Sequence, residues 1–155
     1  MKSLVIYAST SGNTKRIAES IADALRRRGS VELMSADDAP TVVPAADLIV
    51  IGGPTERHTL TEPMAHFLDR LAPESVRGTA TAVFDTRLRW PLLLSGSAAI
   101  EIAKRLRATA ARVVAGPESF IVNMKPELEA GEIDRAAAWA SRVADAVEMP
   151  TARVT

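Results

Sequence analysis

Short apolar runs alternate with helical stripes of apolar residues along the whole chain. A repeat of three or four residues places apolar side chains on one helix face, whereas a short continuous run is typical of a buried strand. The predicted strands lie at about 2–8, 31–33, 48–51 and 80–84, with a fifth over 113–122 that is split by Gly116 and Pro117. The predicted helical stripes run over about 13–28, 64–71, 99–106 and 133–147.

Several small polar residues and a glycine mark the ends of these helices. Gly29 follows the first stripe and is the expected C-cap. Thr61 is the expected N-cap of the second helix, with Pro63 in its first turn. Either Ser95 or Ser97 is expected to cap the third helix.

Strands that alternate with helices predict an α/β domain with a doubly wound parallel sheet, covered by helices on both faces. The continuous apolar run at 48–51 fits this arrangement, since both faces of such a strand are buried. Right-handed crossovers leave few topologies, but alternation alone does not decide the strand order. We predict one domain over 1–148 and a loose tail at 149–155.

Six small residues that can form hydrogen bonds follow the first strand, and a helix pattern begins almost at once. They are Ser9, Thr10, Ser11, Gly12, Asn13 and Thr14. The free N–H groups and the positive dipole end of a helix N-terminus favour anions. The loop is therefore a predicted phosphate site, although an ordinary turn with a helix cap would use the same residue types.

This loop resembles the phosphate loop of flavodoxins, which reads Ser/Thr-x-Thr-Gly-Asn-Thr. Ser9, Gly12, Asn13 and Thr14 match that pattern, and Ser11 keeps the hydroxyl of the family's threonine. The resemblance covers nearly the whole chain. It implies a five-stranded sheet of order 2-1-3-4-5 that binds FMN at the carboxyl ends of strands one and three.

The loop after strand three begins with Gly-Gly-Pro, which predicts a tight turn at 52–54. The resemblance implies that the first flavin-flanking loop lies here, and its predicted cofactor-binding residues are Pro54, Thr55, Glu56, Arg57 and His58. Flavodoxins commonly place an aromatic ring where this chain has Glu56. Arg57 or His58 could stack on the flavin in its place.

The segment after strand four looks like the second flavin-flanking loop of the family. Its predicted cofactor-binding residues are Asp85, Thr86, Arg87 and Trp90. Trp90 falls close to the position of the family's stacking tyrosine, and it either stacks on the flavin or packs on neighbouring residues. Trp139 is predicted to pack in the last helix, and His66 is predicted to be exposed.

The 155 residues include no cysteine and two histidines. This excludes disulfides, thiolate nucleophiles and thiolate metal sites, and it makes a histidine-rich metal site unexpected. The formal net charge of zero gives no general attraction to nucleic acid or membranes, and it departs from the acidic character of flavodoxins. No apolar run approaches the roughly 20 residues that span a bilayer. We expect a cytoplasmic protein, since the first strand begins too near Met1 for a signal peptide.

The resemblance implies an FMN-binding electron-transfer protein with an unidentified redox partner. No nucleophile or acid–base pair is evident, so we predict no catalytic residue and favour a carrier over an enzyme. Two alternatives stay open at this stage. One is a flavin-dependent quinone or porphyrinogen oxidoreductase on the same fold, and the other is a binding module that has lost FMN, which Glu56 would favour.

Overall fold

The computed structural model describes residues 1–149. Its strands are β1 (Lys2–Tyr7), β2 (Ser30–Ser35), β3 (Leu48–Pro54), β4 (Ala80–Leu88), β5 (Arg112–Val113) and β6 (Glu118–Val122). Its helices are α1 (Asn13–Arg26), α2 (Glu62–Arg70), α3 (Leu92–Ser95), α4 (Ala98–Ala108) and α5 (Glu132–Glu148), with a 3₁₀ turn at Pro73–Ser75. The predicted loose tail, apart from Met149, lies outside the described residues.

All strand pairs of the sheet are parallel, and the order is β2-β1-β3-β4-β5, which confirms the predicted fold class. Residues 1–149 contain six strands where five were predicted, because the fifth predicted strand forms β5 and β6, which both pair with β4. β5 pairs with the first residues of β4, and β6 pairs with its last five from Phe84 to Leu88. Pro117, which has no N–H to donate, lies in the break between them.

The two faces of the sheet carry separate hydrophobic cores. One core packs Met64 of α2 and Ile102 of α4 against the sheet. The other packs α1 and α5, and it contains an aromatic cluster of Trp139 with Phe84 and Phe120 at centroid distances of 6.3 and 6.0 Å. Trp139 is therefore a packing residue, as predicted.

Two strands extend beyond the apolar segments that predicted them. β3 continues through Gly52, Gly53 and Pro54, so the tight turn predicted at 52–54 is wrong. β4 continues to Leu88, so the loop predicted to begin at Asp85 is also wrong. The reason is mutual pairing, since 52–54 continue in parallel register with 84–86. Gly52 makes this possible, because a Cβ there would lie 2.2 Å from the ring of Phe84.

The observed helix caps agree in part with the caps predicted from the sequence. Thr61 precedes α2 as its N-cap, although its hydroxyl makes no capping hydrogen bond. Of the two serines considered for α4, Ser97 is the cap, and its hydroxyl accepts from the N–H of Ile100. The cap predicted at Gly29 is wrong, because α1 ends at Arg26 with Arg27 as C-cap. Gly29 instead leaves room for Met1, whose carbonyl oxygen lies 1.8 Å from the position of a Cβ.

Candidate functional site

The loop from Ser9 to Thr14 joins β1 to α1 at the carboxyl edge of the sheet. The Ser9 hydroxyl oxygen closes the loop by accepting from the N–H groups of Gly12 (3.1 Å) and Lys15 (3.3 Å). Gly12 has a φ of 92°, which favours glycine, and the position of its missing Cβ has no heavy atom within 4 Å. The space above Gly12 is thus open to a ligand.

Five backbone N–H groups of this loop have no acceptor among residues 1–149: those of Ser9, Thr10, Ser11, Asn13 and Thr14. The exposed hydroxyls of Thr10 and Ser11 lie in the same loop, and the exposed Lys15 follows it. Neutral donors at the positive end of a 14-residue helix form a set that suits a phosphate group.

Asn13 and Thr14 have buried side chains that hold the loop in place. The Asn13 amide donates to the Ser11 hydroxyl oxygen at 3.1 Å and to the Pro126 carbonyl at 3.0 Å. The hydroxyl oxygen of Thr14 lies 2.7 Å from that of Thr86 at the end of β4. These contacts tie the loop to two other segments of the carboxyl edge.

A cleft of about 400 Å³ opens at this edge and brings three of the predicted segments together. Seven predicted residues line it, namely Thr10, Ser11, Pro54, Thr55, Glu56, Thr86 and Arg87. Ser9 and Gly12 line a neighbouring cavity of about 360 Å³ together with Lys15 and Asp37. A groove of about 470 Å³ between α1 and α5 contains none of the predicted site residues.

The turn after β6 is a part of the cleft that the sequence reasoning missed. Val122, Asn123, Met124 and Pro126 line the cleft. The turn is held by the Asn123 side-chain oxygen, which accepts from the N–H groups of Lys125 and Glu127 at 2.9 Å. The sequence could have indicated this turn. The carboxyl ends of all parallel strands share one edge of the sheet, and a turn from Asn123 to Pro126 follows the fifth apolar run.

Glu56, Arg57, His58 and Thr59 form a tight hairpin beside the cleft. The N–H and C=O groups of Glu56 and Thr59 pair reciprocally at 3.0 Å. The two central residues have φ values of 47° and 73°, as in a type I′ turn, which is an uncommon conformation for residues other than glycine. The turn thereby presents the Arg57 and His58 side chains to solvent.

Asp85 is fully buried, and it connects Thr55 in the wall of the cleft to the N-terminus of α4. One carboxylate oxygen accepts from the Ser97 hydroxyl (2.6 Å), the Ala99 N–H (3.1 Å) and the Thr55 hydroxyl (3.2 Å). The other oxygen has no partner in the described part of the chain. Asp85 therefore holds the end of β3 against the N-terminus of α4 and is removed from the cleft surface.

Arg87 anchors the segment that carries Trp90. Its guanidinium donates to the carbonyl oxygens of Trp90 (3.0 Å) and Leu88 (3.2 Å), and to the Ser119 hydroxyl (2.9 Å). Trp90 itself is 46% exposed. It lines a second cavity of about 200 Å³, which shares Thr55, Arg87 and Leu88 with the cleft.

The remaining predicted residues of the two flanking segments, Arg57 and His58, line the second cavity with Trp90 and not the cleft. Arg89, in the second segment, lines neither and forms an ion pair with Glu129 at 2.6 Å. His66 is exposed on α2, as predicted.

The family model of the flavodoxin domain matches residues 4–86, more than half of the chain, and the chain belongs to the flavodoxin family. Family membership supports flavin binding and electron transfer. No curated protein matches the chain by sequence. Within residues 1–149 no helix is long and apolar enough to cross a bilayer.

Solved structures agree with this assignment. A flavodoxin from the domain Archaea is 25% identical with a TM-score of 0.76, and the match covers 96% of this chain and 99% of that one. Oxidised flavodoxin 1 from Bacillus cereus is 24% identical with a TM-score of 0.77 over 94% of this chain and 98% of that one. Rubredoxin oxygen:oxidoreductase from Desulfovibrio gigas is 18% identical with a TM-score of 0.75, and the match covers 95% of this chain but 36% of that one. The latter two likenesses concern the fold alone.

Proposed function

We propose that the chain binds FMN and carries electrons between redox partners, in the cytoplasm as the sequence predicts. One observation carries the proposal: five N–H groups without acceptors among residues 1–149 lie together in the loop before α1, which forms one wall of the 400 Å³ cleft. A phosphate held there leaves the cleft to the rest of the cofactor. The donors are neutral and already oriented, so the loop needs no arginine to bind the phosphate.

In this proposal each wall of the cleft has a separate task. The loop at 9–14 binds the phosphate, while Thr55 and Glu56 on one side and Thr86 and Arg87 on the other border the ribityl chain and ring. The turn at 122–126 covers the outer side with Met124. FMN, when bound, supplies the redox chemistry, and the protein contributes binding, exclusion of water and the local electrostatic field.

A second candidate is a flavin-dependent oxidoreductase of the quinone or porphyrinogen type. Such an enzyme needs an open site beside the ring, and the 200 Å³ cavity is in a suitable place. It shares Thr55 and Arg87 with the cleft and is also lined by His58 and Trp90. A small planar acceptor could lie there against the indole ring.

Absorption spectra of the purified protein, recorded before and after addition of FMN, test flavin binding directly. We expect flavin bands that stay with the protein on gel filtration, and tighter binding of FMN than of riboflavin. A protein that takes up no FMN would contradict the proposal and favour a module that has lost the cofactor. Turnover of NAD(P)H with a quinone by the loaded protein would favour the oxidoreductase over the carrier.

A further inference from the structure

Five consecutive apolar residues, Trp90 to Leu94, are all exposed between β4 and α4. We call this segment the apolar loop. Leu93 is 95% exposed, Leu94 57%, Leu92 50% and Trp90 46%. Exposed apolar residues are ordinary when scattered, but a contiguous group indicates a surface that something else covers.

The geometry of the loop shows what kind of cover it needs. Leu92, Leu93 and Leu94 belong to α3, which is a single helical turn, and successive residues of a helix point about 100° apart. The three leucines therefore point in different directions around the axis of α3, which we call the projection. A flat protein surface could cover one of these directions, whereas an apolar medium that surrounds the projection covers all three.

The projection is held in place by the protein. Arg87 donates to the carbonyl of Trp90, the N–H groups of Leu94 and Ser95 donate to the Pro91 carbonyl, and Gly96 donates to Leu92. Gly96 in turn packs directly on the backbone of His58, because a Cβ there would lie 2.1 Å from the His58 carbonyl oxygen. The exposure of the leucines is thus fixed by the surrounding hydrogen bonds.

Positive charge lies at the base of the projection. Arg57 and Arg87 line the cavity that also contains Trp90 and Leu94, and no carboxylate of residues 1–149 lines it. The exposed Arg57 forms no ion pair with any other described residue. Apolar side chains at a tip, a tryptophan beside them and cations behind them match the layers of an anionic bilayer surface.

We propose that the apolar loop docks the protein on an anionic lipid bilayer. The leucines enter the boundary between headgroups and acyl chains, Trp90 lies at headgroup level, and the exposed Arg57 meets the lipid phosphates. This is binding at the surface and requires no spanning helix. It does not depend on a bound flavin, but it would bring the 200 Å³ cavity to the lipid surface.

Vesicle binding by the purified full chain tests the proposal. The vesicles contain phosphatidylcholine with an equal amount of phosphatidylglycerol, or phosphatidylcholine alone. We expect sedimentation with the anionic vesicles, weaker binding to the neutral ones, and a blue shift of tryptophan emission. Emission is recorded on flavin-free protein, in which Trp90 is the reporter, because the other tryptophan, Trp139, is 4% exposed in the core.

Matched variants identify the surface. Leu93→Asp is expected to weaken vesicle binding by at least about tenfold, because a charge replaces an inserted leucine. Val42→Asp is the control, since Val42 is 64% exposed in the segment before β3, at the opposite edge of the sheet. We expect Val42→Asp to change vesicle binding by less than about twofold. Arg57→Gln is expected to reduce binding to the anionic vesicles and to leave binding to the neutral vesicles unchanged.

Three results would overturn the proposal. The first is no binding of the wild-type protein to either vesicle, and the second is equal weakening by Leu93→Asp and Val42→Asp. The third is concentration-dependent self-association in sedimentation equilibrium that Leu93→Asp abolishes, without vesicle binding, which would make the loop an interface between copies of the chain. Thermal unfolding followed by circular dichroism verifies that each variant is folded.

Discussion

The hydroxyl oxygens of Thr14 and Thr86 lie 2.7 Å apart, in a contact that joins the first turn of α1 to the end of β4. Both residues are buried, with 1% and 3% of their surface exposed. Thr14→Val removes one hydroxyl at nearly constant volume and leaves the other without its partner. We expect a loss of about 1–2 kcal/mol in the free energy of unfolding, measured by urea denaturation. Thr14→Ser keeps the hydroxyl and should lose less; equal losses in the two variants would show that the hydroxyl contact is unimportant.

Ser11 has an exposed side chain in the predicted phosphate loop, and its hydroxyl accepts from the Asn13 amide at 3.1 Å. Ser11→Ala removes this one hydrogen bond, so the free energy of unfolding should fall by no more than about 1 kcal/mol in urea denaturation. It should weaken FMN several-fold and leave riboflavin almost unaffected, since FMN alone carries the phosphate. Fluorescence titration with each flavin measures both affinities. Equal weakening of the two flavins would place the phosphate elsewhere.

Trp90 is the aromatic residue available to cover the flavin, because Trp139 is buried in the core. Binding of FMN should quench Trp90 emission, and Trp90→Ala should lower FMN affinity by roughly threefold to tenfold through lost stacking. Trp90→Phe is the conservative comparison and should keep most of the affinity. If Trp90→Ala binds FMN as tightly as the wild type, the covering side chain is Arg57 or His58.

The arginines of the flanking loops predict that bound FMN has a less negative potential for its second one-electron reduction than it has in acidic flavodoxins. The structure separates their contributions: Arg89 pairs with Glu129, Arg87 lines the cleft, and Arg57 lines the adjoining cavity. A nearby cation stabilises the anionic reduced flavin and raises its potential. Removing the charge in Arg57→Gln should therefore lower the potential of the second one-electron step, by tens of millivolts for an interaction on the order of 1 kcal/mol.

Potentiometric titration of FMN-loaded protein measures this effect. The matched control is Arg77→Gln, which removes the same charge from an exposed site before β4, at the opposite edge of the sheet. The shift should shrink at high salt, because the charge is exposed. Indistinguishable potentials for the wild type and Arg57→Gln would mean that Arg57 does not influence the flavin.

Glu132 should make stability depend on acidic pH. Its carboxylate accepts from the Arg135 guanidinium at 2.7 and 2.9 Å and from the Ile121 N–H at 2.7 Å. These bonds, chiefly those from Arg135, hold the pKa of Glu132 below its ordinary value of 4.5. Because the pKa is lower in the folded state than in the unfolded state, the ionised carboxylate stabilises the folded protein at pH values above 4.5. This stabilisation is lost as the pH falls through the pKa of the folded state.

Glu132→Gln should thus be less stable than the wild type at neutral pH, by about 1–3 kcal/mol. The difference should begin to narrow below pH 4.5, where the carboxylate of the unfolded chain takes up a proton, and should be lost as the pH falls through the lower pKa of the folded state. Urea denaturation across this pH range measures the difference. The control is Glu127→Gln, because Glu127 is exposed and forms no ion pair with any other described residue. A difference that stays constant with pH would assign the effect to lost shape or packing.

The hydrophobic pattern alone was sufficient to predict the alternating elements and the doubly wound fold class. The small polar residues before the first helix predicted the loop that joins β1 to α1, and its role in phosphate binding stays a prediction. Each of these depends on neighbours in the chain: a helical stripe, an apolar run, or a glycine before a helix N-terminus. The strand order came from the resemblance, since local patterns carry no information about which strands lie side by side. The predicted site residues stay predictions, although the fold brings seven of them to one cleft.

Only the tertiary structure decided where the strands end and what the polar side chains do. β3 and β4 extend each other by pairing, and Asp85 lies inside this extension, so a residue expected on a loop is buried. The turn at 122–126 forms part of the cleft because the Asn13 amide donates to the Pro126 carbonyl. These two residues are 113 positions apart in the sequence. Such contacts follow from the packing of distant segments, and hydrophobic periodicity, which reports only burial along one element, does not contain them.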